Sequence, residues 1–457
     1  MSYGALTSGG PLHSSTGVFE YTDAIQKLLL CMASALLIVG DNRFWMSIST
    51  WANGNGSLIA GGAVLLSGTL LIVNTVRERQ PLRAEFLLPV FAYLLTIGVW
   101  TRFGLDGTMV ANRDIAMVLP IYAILCLSRD DKIRLLYSVA MVFSIVMGLA
   151  AIFFLTRYLG GSFPFFELES SNPLKTVQGM YYEISMLGGV LLNRYGNLTY
   201  CGVFDEAGCA GTFAALLFIA VNECKEIDSF RYSRAIKAIL IIEGALSFSF
   251  AFFLMLAAYL AICLFRKGNV KLAGAVAALL MLTLFVIVVE PERLGSFVSL
   301  QRRTVALFSG EGLLNNRVNV QTDEIMRRFY GADDLLVSLF GYGRSAFNDI
   351  ASAAGVDGCS VEFYLYDYGY VGIIFYYVLI AVLNRCSGRS MAGCWVPLLF
   401  FLISTYQRPE VMTSLYLAIL MLGFIPSKES ETRFVEKTIA RSRVKRINDF
   451  AARREAA

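Results

Sequence analysis

The sequence predicts an all-α integral membrane protein, a polytopic bundle of about twelve transmembrane helices with a large, partly helical loop on one side. Three observations carry this. The 457 residues are 56% hydrophobic and only 16% charged, against roughly 25% charged in an ordinary soluble domain, and the mean hydropathy is +0.60. The apolar runs approach the roughly 20 residues that a hydrocarbon core about 30 Å thick demands of a helix. Lysine and arginine recur in alternate loops, as the positive-inside rule requires.

In chain order, residues 1–23 read as a cytoplasmic N-terminal segment. They show no basic stretch followed by an apolar run and a small-residue cleavage site, so no removable signal peptide is expected. Residues 24–156 hold helices one to five, with crossings near 24–40, 57–76, 86–101, 115–128 and 135–156. Residues 157–206 form a first external loop. Helices six to nine fill 207–290, near 207–221, 236–248, 249–265 and 271–290. A second, larger external loop covers 291–368. Helices ten to twelve occupy 369–425, near 369–384, 394–405 and 411–425, and a basic cytoplasmic tail runs over 426–457. That tail has a loose apolar stripe and a basic face, suited to lying on an anionic inner leaflet.

With both termini inside, 25 of the 39 basic residues fall on the inner side. The remaining 14 are external, and all but Lys175 are arginine. A guanidinium is always charged and offers a flat fork that matches phosphate or carboxylate, so the bias points to anion recognition. The same preference runs through the whole chain, 29 Arg to 10 Lys, and general composition accounts for part of it. The two long loops are external, which puts the chemistry there.

The large loop holds seven arginines against ten acids, so an anion site there needs a few placed arginines rather than a general field. "NNRVNVQTDEIMRRFY" reads as a helix capped by Asn315 or Asn316, burying Val318, Ile325, Met326 and Phe329. Asp323–Arg327 and Glu324–Arg328 have the spacing of surface ion pairs. Arg317 has no such partner and lies in the first turn, where backbone N–H groups also attract anions. Gly341 and Gly343 fit a helix C-cap or a close backbone approach, and Arg344 follows them. Asp357, Glu362 and Asp367 lead into the tenth crossing among Phe363, Tyr364, Tyr366, Tyr368 and Tyr370, which suit a membrane-interface belt or a sugar-stacking platform. Glu243 lies inside an apolar run, and Arg408 sits in a short external turn.

The only histidine is His13, so no histidine base or ligand lies in the bundle. No acidic cluster has convincing metal-ligand spacing, and no cofactor is called for. Five of the nine cysteines sit in or beside apolar runs as small hydrophobes, while Cys201, Cys209 and Cys359 are external, where an oxidising compartment would let two of them pair.

The stretch "RYGNLTYCGVFDEAG", just ahead of an apolar run, resembles the signature of bacterial O-antigen and exopolysaccharide polymerases of the O-antigen polymerase–ligase superfamily. Arg194, Gly202, Phe204 and Glu206 fall on that pattern. "NNRVN", "LFGYGRSAF", "YDYGYVGIIF" and "ALSFSFAFFLML" extend the likeness in the same order over about residues 194–410. Ala207 stands where that family commonly has a proline. The related O-antigen ligases carry an external histidine where this chain reads "VDGCSVEF", so the ligase alternative lacks its base.

The resemblance implies a GT-C-like membrane glycosyltransferase that polymerises polyprenyl-diphosphate-linked oligosaccharides on the periplasmic side of a bacterial inner membrane. A flippase and a chain-length regulator would be partners, with no nucleic acid involved. Diphosphate is an acidic leaving group, so fixed positive charge serves it better than a proton donor, and Arg194, Arg317, Arg344 and Arg408 are the candidates. The attacking hydroxyl needs a base, for which Glu206, Asp357 and Glu362 all qualify. A transporter or flippase of lipid-linked oligosaccharide is the rival from another class, although the sequence shows no internal repeat.

Overall fold

The computed structural model describes residues 15–39, 62, 65–74, 84–102, 117–169, 180–192, 198–269, 271–272, 274, 320–343, 346–353, 361–386, 399–405 and 413–422. These residues are mostly helical: α1 Ser15–Val39, α2 Leu65–Asn74, α3 Leu87–Arg102, α4 Val118–Cys126, α5 Arg129–Tyr158, then β1 Phe166–Glu169, β2 Tyr181–Ser185, β3 Gly188–Leu192 and β4 Leu198–Gly202. There follow α6 Ala207–Glu223, α7 Ser233–Leu246, α8 Phe250–Arg266, α9 Val320–Tyr330, α10 Leu335–Phe340, α11 Ala346–Ala353, α12 Val361–Cys386, α13 over 399–405 and α14 Ser414–Leu422.

Helix α5 is the spine. Ser128 caps it, its hydroxyl accepting from the Asp131 N–H and donating to the Asp131 carboxylate at 2.7 Å. Asp130 and Asp131 in the first turn and Arg157 in the last complement the helix dipole. At 1.5 Å per residue the helix is about 45 Å long. Its first half is enclosed by protein, with Gln26 of α1 donating to buried Asp131 at 3.1 Å. Its second half exposes a stripe of Ile145, Leu149, Ile152 and Leu155. Helix α3 likewise exposes Leu87, Leu88, Phe91, Leu94 and Leu95 while burying Tyr93 and Thr96.

Two helices, Arg129–Tyr158 and Glu362–Leu383, are long and apolar enough to cross a membrane by length and composition, and five shorter apolar helices accompany them. The expected count of twelve crossings is not reached among the described residues; the crossing near 271–290 lies almost wholly outside them. The expectation of an all-α chain is corrected outright. The stretch expected to be the first external loop holds a four-stranded antiparallel sheet in the order β1-β2-β3-β4. Pairing sets Glu183 opposite Val190 and Val190 opposite Tyr200, with an irregularity at Gly189/Val190.

The sheet descends alongside α5. Arg157 donates two 2.7 Å hydrogen bonds to the Glu183 carboxylate on β2, and its guanidinium lies 4.7 Å from the Phe165 ring centre. Lower down, the Tyr200 hydroxyl donates to the Met147 carbonyl at 2.8 Å. The strands therefore pack along α5 and lead directly into α6, which is about 25 Å long.

Three further expectations are corrected. Cys201 and Cys209 are buried thiols that are not joined to each other in a disulfide, and the Cys201 thiol donates to the Gly189 carbonyl; Cys359 lies outside the described residues. On α9, Ile325, Met326 and Phe329 are buried as predicted, but no ion pair joins Glu324 to Arg328 among the described residues. The proposed caps Asn315 and Asn316 fall outside them. Phe363, Tyr366 and Tyr368 are no lipid-facing belt, because all three are buried against protein.

Candidate functional site

Two junctions bring the singled-out residues together. The first is the elbow between β4 and α6. Gly202 sits so close to Met147 of α5 that a Cβ there would collide with the methionine thioether. Val203 and Phe204 are buried behind it, and the Phe204 ring packs between Phe143 of α5 at 5.8 Å and Phe213 of α6 at 5.1 Å. Phe204 is thus a core anchor that fixes where α6 begins. The Tyr182 hydroxyl donates to the Asp205 carbonyl at 2.7 Å, tying the elbow back to β2.

Glu206 is the extended residue at the start of α6, and its backbone carbonyl accepts from Cys209 and Ala210 N–H. Its side chain makes no capping hydrogen bond. The residue is half-buried beside the N-terminal end of α6. One turn into α6, Gly211 meets the α7–α8 turn, where a Cβ would lie 2.6 Å from the Ser247 hydroxyl. Phe248 of that turn takes a left-handed φ of 46°, a strained value for a side-chain-bearing residue. The Ser247 hydroxyl donates to the Gly244 carbonyl and accepts from the Ser249 N–H.

Glu243 of α7 is buried 3.6 Å from where a Gly148 Cβ would stand, and neither carboxyl oxygen has a hydrogen-bond partner among the described residues. The Ser249 hydroxyl is unpartnered in the same sense.

The second junction locks the α10–α11 loop onto α12. Gly341 at φ 74° ends α10, its N–H returning to the Val337 carbonyl. Gly369 at φ 64° breaks α12. A Cβ on Gly341 would strike the Asp367 carbonyl, and one on Gly369 would strike the Leu339 carbonyl, so the two backbones pass within contact of each other only as glycines. Tyr342 and Gly343 N–H donate to the Tyr366 and Asp367 carbonyls at 3.0 and 2.9 Å. The Asp367 carboxylate accepts from the Phe347 N–H at 2.8 Å, capping α11. Both flanks of Arg344 are therefore pinned to α12 by one residue, Asp367. Below the lock, Trp100 of α3 stacks on Tyr368 at 4.2 Å and donates to the Gly372 carbonyl.

Of the predicted site residues, Glu206 lies at the elbow and Glu362 in the first turn of α12. Partial burial first, then the Glu362 carboxylate, raise the Tyr330 phenol above its ordinary range. Arg194, Arg317, Arg344, Arg408 and Asp357 lie outside the described residues. Sequence reasoning missed three functional supports: Tyr200, Tyr182 and the capping role of Asp367. Only Asp367 had a readable signal, an aspartate two residues before a helix-breaking glycine. Among the described residues no group of three or more His, Cys, Asp or Glu side chains is placed to hold a metal ion. No family profile, curated protein or solved structure matches this chain.

Proposed function

We propose that the chain is a membrane glycosyltransferase that polymerises polyprenyl-diphosphate-linked oligosaccharide repeat units at the outer face of a bacterial inner membrane. The observation that carries this proposal is the pairing of its short motifs. Stretches far apart in sequence, 202–211 with 247–249 and 341–343 with 367–369, meet through glycines that leave no space for a side chain. One pairing fixes the segment that bears Glu206, and the other fixes the described residues on either side of Arg344. Placement in a bilayer is supported by the two long apolar helices and by polarity turned inward: Gln26, Thr96 and Asp131 are buried while Leu, Ile and Phe face outward. Both termini are then cytoplasmic and the elbow and lock periplasmic.

In this mechanism Arg194, Arg317, Arg344 and Arg408 hold the diphosphate and stabilise its charge as it leaves. An acceptor sugar hydroxyl attacks the anomeric carbon of the lipid-linked chain. The new C–O bond forms as the bond to diphosphate breaks, and the hydroxyl proton passes to a carboxylate. Glu206 is the base we favour, with Asp357 and Glu362 as the other contenders. The polyprenyl diphosphate departs with the bonding electron pair.

The test is a chain-length ladder. Arg194→Ala and Arg317→Ala are each expected to abolish polymerisation while inserting into membranes at wild-type levels. Wild-type ladders from either variant would remove the diphosphate assignment.

A further inference from the structure

We infer that the β2–β3 turn dips into the outer leaflet, with Met186 and Leu187 among phospholipid acyl chains. This rests on the bilayer placement proposed above. Helix α5 supplies the depth scale. Arg134 and Arg157 bracket an uncharged stretch of about 33 Å, the thickness of a hydrocarbon core. Gly188, at the turn, packs so closely on Ala150 that a Cβ would collide with it. Ala150 lies about 10 Å along α5 inward of Arg157, which puts the turn below the outer boundary of the hydrocarbon.

The side chains agree with that depth. Met186 is 92% exposed, although every other residue from Tyr181 to Val190 is buried or half-buried. The exposed face of α5 at the same level is the apolar stripe of Leu149 and Ile152. Backbone in hydrocarbon must satisfy its own polar groups. Here the Ser185 hydroxyl donates to the Gly188 carbonyl and accepts from the Leu187 N–H, both at 3.1 Å, closing the turn upon itself. Water is a poor partner for a bare methionine at a tip built in this way, and acyl chains are a good one.

Photo-crosslinking of the full chain in phosphatidylcholine vesicles tests this, with benzoylphenylalanine in place of Met186, Leu149 or Glu169. Glu169 is exposed at the far end of β1, where it pairs with Tyr181 rather than with the turn. Lipid adducts at 186 are expected to match those at 149 and to exceed those at 169 about tenfold, the partition that burying one such side chain supports. Adducts at 149 without adducts at 186 would overturn the inference and leave the bilayer placement standing. Cross-links from 186 to a second copy of the chain would also overturn it. Absence of adducts at both 149 and 186 would remove the bilayer placement itself, and the inference with it.

Discussion

At the residue scale, the glycines of the lock make the sharpest demand. Gly341→Ala places a Cβ against the Asp367 carbonyl at a left-handed φ, and we expect it to lower unfolding free energy by more than about 2 kcal/mol. An unchanged thermal midpoint in detergent would show that the lock is not closed. Glu243 tests the opposite sign. Its buried carboxyl oxygens have no hydrogen-bond partner among the described residues, so Glu243→Met is expected to stabilise the fold by about 1–3 kcal/mol. A lower midpoint would mean that the carboxyl is satisfied. At the elbow, Glu206→Gln is expected to slow turnover at saturating donor while leaving donor affinity near wild type; unchanged turnover would rule Glu206 out as the base. Apolar runs are legible residue by residue, because burial of large side chains leaves a strong pattern. The partners of Tyr182 and Tyr200 are not, since a hydroxyl-to-carbonyl contact between distant segments leaves no periodic trace.

At the element scale, helices read well and the sheet does not. The start of α6 at Ala207, and the α7–α8 hairpin near 247–249, fall where the apolar runs begin and end. The inner strands β2 and β3 escape because both faces are covered: β3, "GGVLL", has no apolar–polar alternation and opens on glycines that suggest a loop. Covering also explains the tyrosine-rich entry to α12, which is read as an interfacial belt and is in fact packed on Trp100, Phe329 and Phe347. The α11 cap belongs to this scale. Asp367→Ala removes the acceptor for the Phe347 N–H and is expected to cost about 1 kcal/mol, most of which Asp367→Asn restores because its carbonyl still accepts. Equal losses in both variants would show that charge, not capping, holds the loop.

At the scale of the whole molecule, the described residues bury polar groups such as Gln26, Thr96 and Asp131 and expose apolar stripes on α3 and α5, with a sheet packed along α5. The elbow and the lock each lie about 20 Å along their helices from the contact of Lys132 with the Phe86 ring, by way of α5 to Met147 and of α3 to Trp100. Such a frame suits a recessed site where a lipid-borne diphosphate meets fixed guanidinium groups. The arginine preference is visible in the sequence as a bias in residue type, but whether Arg194, Arg317, Arg344 and Arg408 meet depends on loop geometry that no local pattern encodes, and all four lie outside the described residues.

The most direct measurement supplies purified wild-type protein in detergent with one defined polyprenyl-diphosphate repeat unit and resolves the saccharide products by length. A membrane polymerase converts the donor into a ladder spaced by whole repeat units, with one polyprenyl diphosphate released per addition. A folded protein that leaves the donor unlengthened in detergent, yet moves it across the wall of sealed vesicles, would contradict the account.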